Sequence, residues 1–144
     1  MKRFEFPLEK IQSLREFKKK QAEIELGKAV QEETKIQDTL NMIAQSRVQT
    51  MQAADQMKDI NSLYNAQLYF QLLDARKEEM IEELTRAQLV TEEKRGEMEK
   101  AMRDCKVLEN YKAVKKAEWK KQMLLEEENA IDEIVTSKYN RQDS

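Results

Sequence analysis

Glutamates stand side by side at Glu78–Glu79, Glu82–Glu83 and Glu92–Glu93. Paired carboxylates are what general acid–base chemistry uses, one member holding a proton while the other does not. Such a pair works only inside a walled cleft that drives the two pKa values apart. These pairs lie instead in a stretch rich in Glu, Lys, Gln, Leu, Met and Ala, all strong helix formers, and they read as solvated helix faces. There is no histidine. That removes His-based acid–base chemistry, Ser-His-Asp triads and histidine-bearing metal sites, the Glu-x-x-His di-iron bundles among them. The one cysteine, Cys105, cannot form a structural zinc site or an internal disulfide, and it reads as a small buried hydrophobe. Two isolated glycines, Gly27 and Gly96, cannot make a phosphate-cradling loop. The expectation is a protein that is not an enzyme and that holds neither metal nor cofactor.

The elements that would carry these residues follow from composition. The 144-residue chain is 38% charged and 40% hydrophobic, with two glycines and one proline. Alternating strands need turn residues that this chain lacks, and its abundant helix formers argue against disorder. The expected fold is all-α: a long antiparallel two-helix coiled-coil hairpin whose C-terminal helix overhangs its partner. As one unit over residues 1–144, it would comprise a helix at about 7–58, a turn at about 59–62 in "DINS", a helix at about 63–138 and a frayed tail at 139–144. Pro7 suits the first turn of the first helix.

The 3–4 spacing of a coiled-coil seam picks out Leu8, Ile11, Leu14, Ala22, Leu26, Ala29, Ile36, Leu40, Ile43, Ala54 and Met57 in the first arm. In the second arm it picks out Leu73, Met80, Leu84, Ala87, Met98, Ala101, Cys105, Leu108 and Trp119. Thr91, Lys94, Lys112 and Lys115 also fall at seam positions and weaken it. A turn near residue 61 would pair positions summing to about 122, which brings Gly27 close to Gly96. Either the small residues let the arms approach, or they mark a shared bending point.

Two surfaces stand out. Residues 60–73, "INSLYNAQLYFQLL", carry no charge and hold Tyr64, Tyr69 and Phe70 with Leu68, Leu72 and Leu73. Apolar groups all around one helix exceed what a two-helix pair can bury, so this tip reads as a partner surface, or else as a segment that folds back on itself. At the opposite end, residues 1–20 hold seven basic and three acidic groups, and residues 94–121 hold ten basic and five acidic. Side by side in the hairpin, these segments would favour an acidic partner. Nucleic acid is not expected, because aromatic interleaving is sparse and no reading motif is present. The overhang reverses sign: residues 122–135 hold five acidic and no basic groups, with an apolar stripe of Met123, Leu124, Ala130, Ile131, Ile134 and Val135. No apolar run approaches the ~20 residues of a membrane span, and the N-terminus lacks the apolar region of a signal peptide.

The opening "FEFPLEKIQSLREFKKKQAEIEL", with its Phe-x-Phe-x-Leu start and Leu-Arg-Glu, is similar to the N-terminus of the FliJ family of flagellar type III export proteins. The ending "KVLENYKAVKKAEWKKQMLLEEENAIDEIVTSKY" resembles that family's C-terminal segment, with its Leu-Glu and Asp-Glu pairs. The resemblance covers essentially the whole chain. It implies a non-catalytic stalk whose open end enters the flagellar export ATPase hexamer, promoting ring assembly and activity. The tip would contact the cytoplasmic domain of the export gate, and export chaperones would bind as well. Carried over on the Asp-Glu motif, the gate-contacting stripe falls on Tyr69, Leu73, Arg76 and Met80, with Phe70 beside it. Arg76 stands where the family has a small residue. The neck and overhang residues Lys112, Lys115, Lys116, Trp119, Lys120, Ile131, Asp132 and Glu133 would meet the ring. The implied protein is cytoplasmic, held at the inner membrane only through partners, and monomeric when free. A homodimeric structural scaffold and a holdase-type chaperone are the alternatives.

Overall fold

In a computed structural model, which describes residues 3–142, the chain is a helical hairpin. Helix α1 spans Glu9–Asp55 and helix α2 spans Ile60–Gln142. Pro7 stands in the turn that leads into α1, where Glu9 N donates to Phe6 O at 3.2 Å. The turn between the helices occupies 56–59, and α2 starts inside the segment expected to turn. Asp59 accounts for that start. Its carboxylate accepts from the Asn61 amide at 3.4 Å and from the Ser62 hydroxyl at 3.4 Å, and its carbonyl accepts from Leu63 N at 3.1 Å. This is N-capping, in which a short polar side chain satisfies donors that the helix cannot. At the far end, helix persists to Gln142, past the point where fraying was expected.

Two compact units divide the hairpin, Met1–Lys19 with Ala101–Ser144 and Lys20–Lys100. In the Lys20–Lys100 unit the seam follows heptad spacing, with one gap in α2 where Lys77 is exposed. From α1, Ala22, Leu26, Ala29, Glu33, Ile36, Leu40, Ile43, Arg47, Thr50 and Ala54 are buried or half-buried; from α2, so are Ala66, Phe70, Leu73, Met80, Leu84, Ala87, Thr91, Lys94 and Met98. Thr91 is the one polar residue buried among the described residues. Its hydroxyl lies 2.8 Å from the Glu33 carboxylate and 3.0 Å from the Ala87 carbonyl, so the burial leaves no orphaned donor. Towards the turn, Arg47 bridges the helices with a 2.6 Å ion pair to Asp74 and lays its guanidinium 5.0 Å over the Phe70 ring.

In the unit of Met1–Lys19 with Ala101–Ser144, the second-helix seam is the expected one: Ala101, Cys105, Leu108, Lys112, Lys115 and Trp119 are all buried or half-buried, and Met123 joins them. Cys105 is a buried free thiol, as its reading as a small hydrophobe requires. The first-helix seam differs from expectation. Leu8 is half-buried, but Ile11 and Leu14 are exposed, and Gln12, Arg15 and Lys19 take the inward positions. Arg15 Nη1 donates to the Asp104 carbonyl at 2.9 Å, and Lys112 Nζ donates to Gln12 Oε1 at 3.4 Å. The frame set by Ala22, Leu26 and Ala29 extends backwards along the unbroken helix to 19, 15 and 12. A local run of apolar residues at another phase cannot turn the helix about its own axis. Long polar side chains fill the gap by laying their stems on the partner and sending their heads to the rim.

Neither glycine touches the seam. Gly27 and Gly96 are exposed, neither has positive φ, and a Cβ at either would meet nothing within 4 Å. Close approach of the helices therefore does not explain them. Each lowers helix propensity by about 1 kcal/mol relative to alanine. Gly27→Ala and Gly96→Ala should each raise unfolding free energy by up to about 1 kcal/mol in thermal or urea melts. A fall in stability for either variant would show that the helix uses its freedom to bend there.

Candidate functional site

Within the Lys20–Lys100 unit, the uncharged start of α2 is an exposed apolar surface. Ile60 is 82% exposed, Leu72 64% and Tyr64 62%. Leu63, Leu68 and Tyr69 are exposed as well, while only Ala66 and Leu73 of this stretch are buried. Val48 and Met51 on the last turns of α1 are also exposed. The segment does not bury its own patch. The reason is geometric: α1 offers a single seam, and the side chains at 60, 64, 68 and 72 lie away from it.

The residues expected at the tip divide between two environments. Tyr69 and Arg76 stand on the flank of the seam and are exposed. Leu73 is 7% exposed and lies in the seam; Met80 and Phe70 are half-buried there. The spacing 69, 73, 76, 80 thus gives one helix face, as helical geometry demands, but that face straddles the line where α1 packs. Val48 and Met51 were not singled out by sequence reasoning. The signal available for them was local, since residues 48–54 of α1 carry no charge.

The neck, in the unit of Met1–Lys19 with Ala101–Ser144, is built on aromatic contacts from the N-terminal segment. Phe6 is buried, with its ring 6.1 Å from Tyr111 and Lys112 Nζ 5.7 Å above it. Phe4 tilts against Trp119 with centroids 5.7 Å apart. The Phe-x-Phe opening therefore acts as a clasp on α2, and Trp119 is half-buried beneath it. Lys112 and Lys115 are half-buried at the seam, and Lys115 lies 3.4 Å from Glu118. Lys116 and Lys120 point to solvent.

Beyond Met123, every described residue from Leu124 to Arg141 is exposed. Ile131 is 60% exposed, and Asp132 and Glu133 flank it on the surface. Of the eight residues expected at this end, Lys112, Lys115 and Trp119 belong to the packed neck. Lys116, Lys120, Ile131, Asp132 and Glu133 are freely presented. The paired glutamates are on open helix surface, with only Glu83 half-buried. Glu92 pairs with Arg95 one turn away. Among the described residues, no group of three or more His, Cys, Asp and Glu side chains is placed to hold a metal ion, and no helix is long and apolar enough to cross a membrane. The exposed surface comprises an apolar tip on one unit, and on the other a basic neck that runs into an acidic, apolar-striped helix.

The profile of the family described as Flagellar FliJ protein matches residues 4–144. Nothing among curated proteins and nothing among solved structures matches the chain.

The geometry separates packed from exposed residues at the tip. Leu73→Ala should lower unfolding free energy by about 2 kcal/mol or more, since it empties a seam position. Tyr69→Ala should change it by less than about 0.5 kcal/mol. Urea denaturation followed by circular dichroism measures both; equal effects would mean that residue 73 does not pack as described.

Proposed function

Because this chain belongs to the flagellar FliJ family, whose match covers residues 4–144, we propose that within flagellar export it is a non-catalytic stalk linking an ATPase ring to a membrane-embedded export gate. The observation that carries this reading is the C-terminal stretch of α2. It is an exposed helix with Ile131, Asp132 and Glu133 at its surface, continuing from a basic neck that presents Lys116 and Lys120. A ring of subunits closing around such a helix would bury its apolar stripe and make many weak contacts with its polar faces. Contacts of that kind promote assembly of the ring and leave the helix free to exchange partners. In this reading Lys112, Lys115 and Trp119 hold the neck in shape, while the freely presented residues meet the ring.

The exposed tip is then the gate-facing surface, with Tyr69 and Arg76 as its contacts and Phe70, Leu73 and Met80 as the packing that holds them. Export chaperones are further partners in the same reading. The protein acts at the cytoplasmic face of the inner membrane and reaches that membrane through its partners.

Titrating the protein into the purified cognate ATPase should raise hydrolysis and shift the enzyme to higher oligomers, with Ile131→Glu abolishing both effects. Unchanged rate and mass across a stoichiometric range would overturn the ring assignment. Tyr69→Ala with Arg76→Ala should weaken gate binding at least tenfold in a pull-down or calorimetric titration while helicity is unchanged. Equal affinity for the wild type and this variant would remove the tip from that role.

A further inference from the structure

Among the described residues of the Lys20–Lys100 unit, the one buried polar residue lies between apolar layers of the seam. Thr91 is 3% exposed, and its hydroxyl donates at 2.8 Å to the half-buried Glu33 carboxylate. In an antiparallel pair, Leu40 stands level with Leu84 and Leu26 with Met98, because each lies seven residues from the Glu33–Thr91 layer. All four are half-buried. Ile36 and Ile43 from α1, with Met80 and Ala87 from α2, fill the layers around them.

Such a seam does not by itself choose one alignment. Sliding α2 by a heptad along α1 keeps the same positions inward and still sets mostly Leu, Ile, Met and Ala against one another. The turn would move along the chain by about half a heptad, and residues 48–54 and 60–73 on either side carry no charge to oppose it. Asp59 caps α2 at the present turn, but through exposed contacts of 3.4 Å. The Arg47–Asp74 pair is solvent-facing, and pairs of that kind contribute little. Lys94 pairs with Glu97 on its own helix, so it is satisfied in any register. The Glu33–Thr91 layer is the one that discriminates. A heptad of slip brings Glu33 level with Met98 or Leu84, where its carboxylate loses the hydroxyl and meets hydrocarbon. It also sets Thr91 against Leu40 or Leu26. Parting a polar pair in this way is costly, whereas replacing both members by apolar groups is often neutral or stabilising.

We propose that the Glu33–Thr91 contact is a register lock. It holds the two helices at one alignment, and so fixes where the turn falls and which of residues 60–73 are presented at the tip. Glu33 and Thr91 are positioning residues for a surface that begins about 25 Å along α2 from Thr91. The proposal does not depend on what binds that surface.

Electron–electron distance measurement on the full chain tests this, with spin labels at the exposed positions Asp38→Cys and Gln67→Cys in a Cys105→Ala background. That parent should give one distance. Glu33→Leu with Thr91→Val should melt at the same or a higher temperature. It should also add distances displaced by about 10 Å, the rise of seven helical residues. Glu33→Gln alone keeps an oxygen for the Thr91 hydroxyl and should retain the single distance. A double variant that shows only the parent distance overturns the proposal, because the seam then sets its alignment without the pair. A double variant that melts lower or loses helicity overturns it too, since the pair then supplies stability and not alignment.

Discussion

Two helices can dry only one stripe on each other. Every feature of this molecule follows from how little interior that leaves. No side chain among the described residues is both large and fully enclosed. The buried and half-buried positions together follow the two-per-heptad spacing of the seam, several of them alanine. Interior side chains in a globular domain touch many neighbours at once; here each has the partner helix on one side and solvent close on the others. Stability is therefore distributed along the seam, and no single core residue can carry it.

A thin seam also leaves a great deal of surface. Helix faces pointing away from the partner can be polar, apolar or charged with little consequence for folding. This freedom is visible in the contrast between the uncharged start of α2 and the alternating charges at 74–100. The chain belongs to the flagellar FliJ family. Carboxylates on an open helix see bulk water from several sides.

Much of the fold was legible in the sequence. The second-helix seam from Leu73 to Trp119 could be read position by position, because its frame is long and its apolar residues rarely fall out of phase. The first helix was harder. Ile11 and Leu14 form a locally convincing stripe, yet Gln12, Arg15 and Lys19 face inward. Composition over ten residues misled where the phase carried by a 47-residue helix decided. Asp59 shows the same contrast at the turn: "DINS" marked the right place, but capping draws Ile60 and Asn61 into the helix. The exposed tip was readable from its lack of charge. The division of its residues between seam and flank was not, since spacing alone does not reveal where on the wheel the partner sits.

One consequence follows from the polar lining near the chain ends. Gln12, Arg15, Lys112 and Lys115 take inward positions beside the buried Phe6, Cys105 and Leu108. Water reaching the rim there finds polar heads that keep their hydrogen bonds, while the apolar side chains between them resist parting. This end of the fold is held like a fastener with two kinds of teeth: some yield to solvent at little cost, and the others keep the helices together.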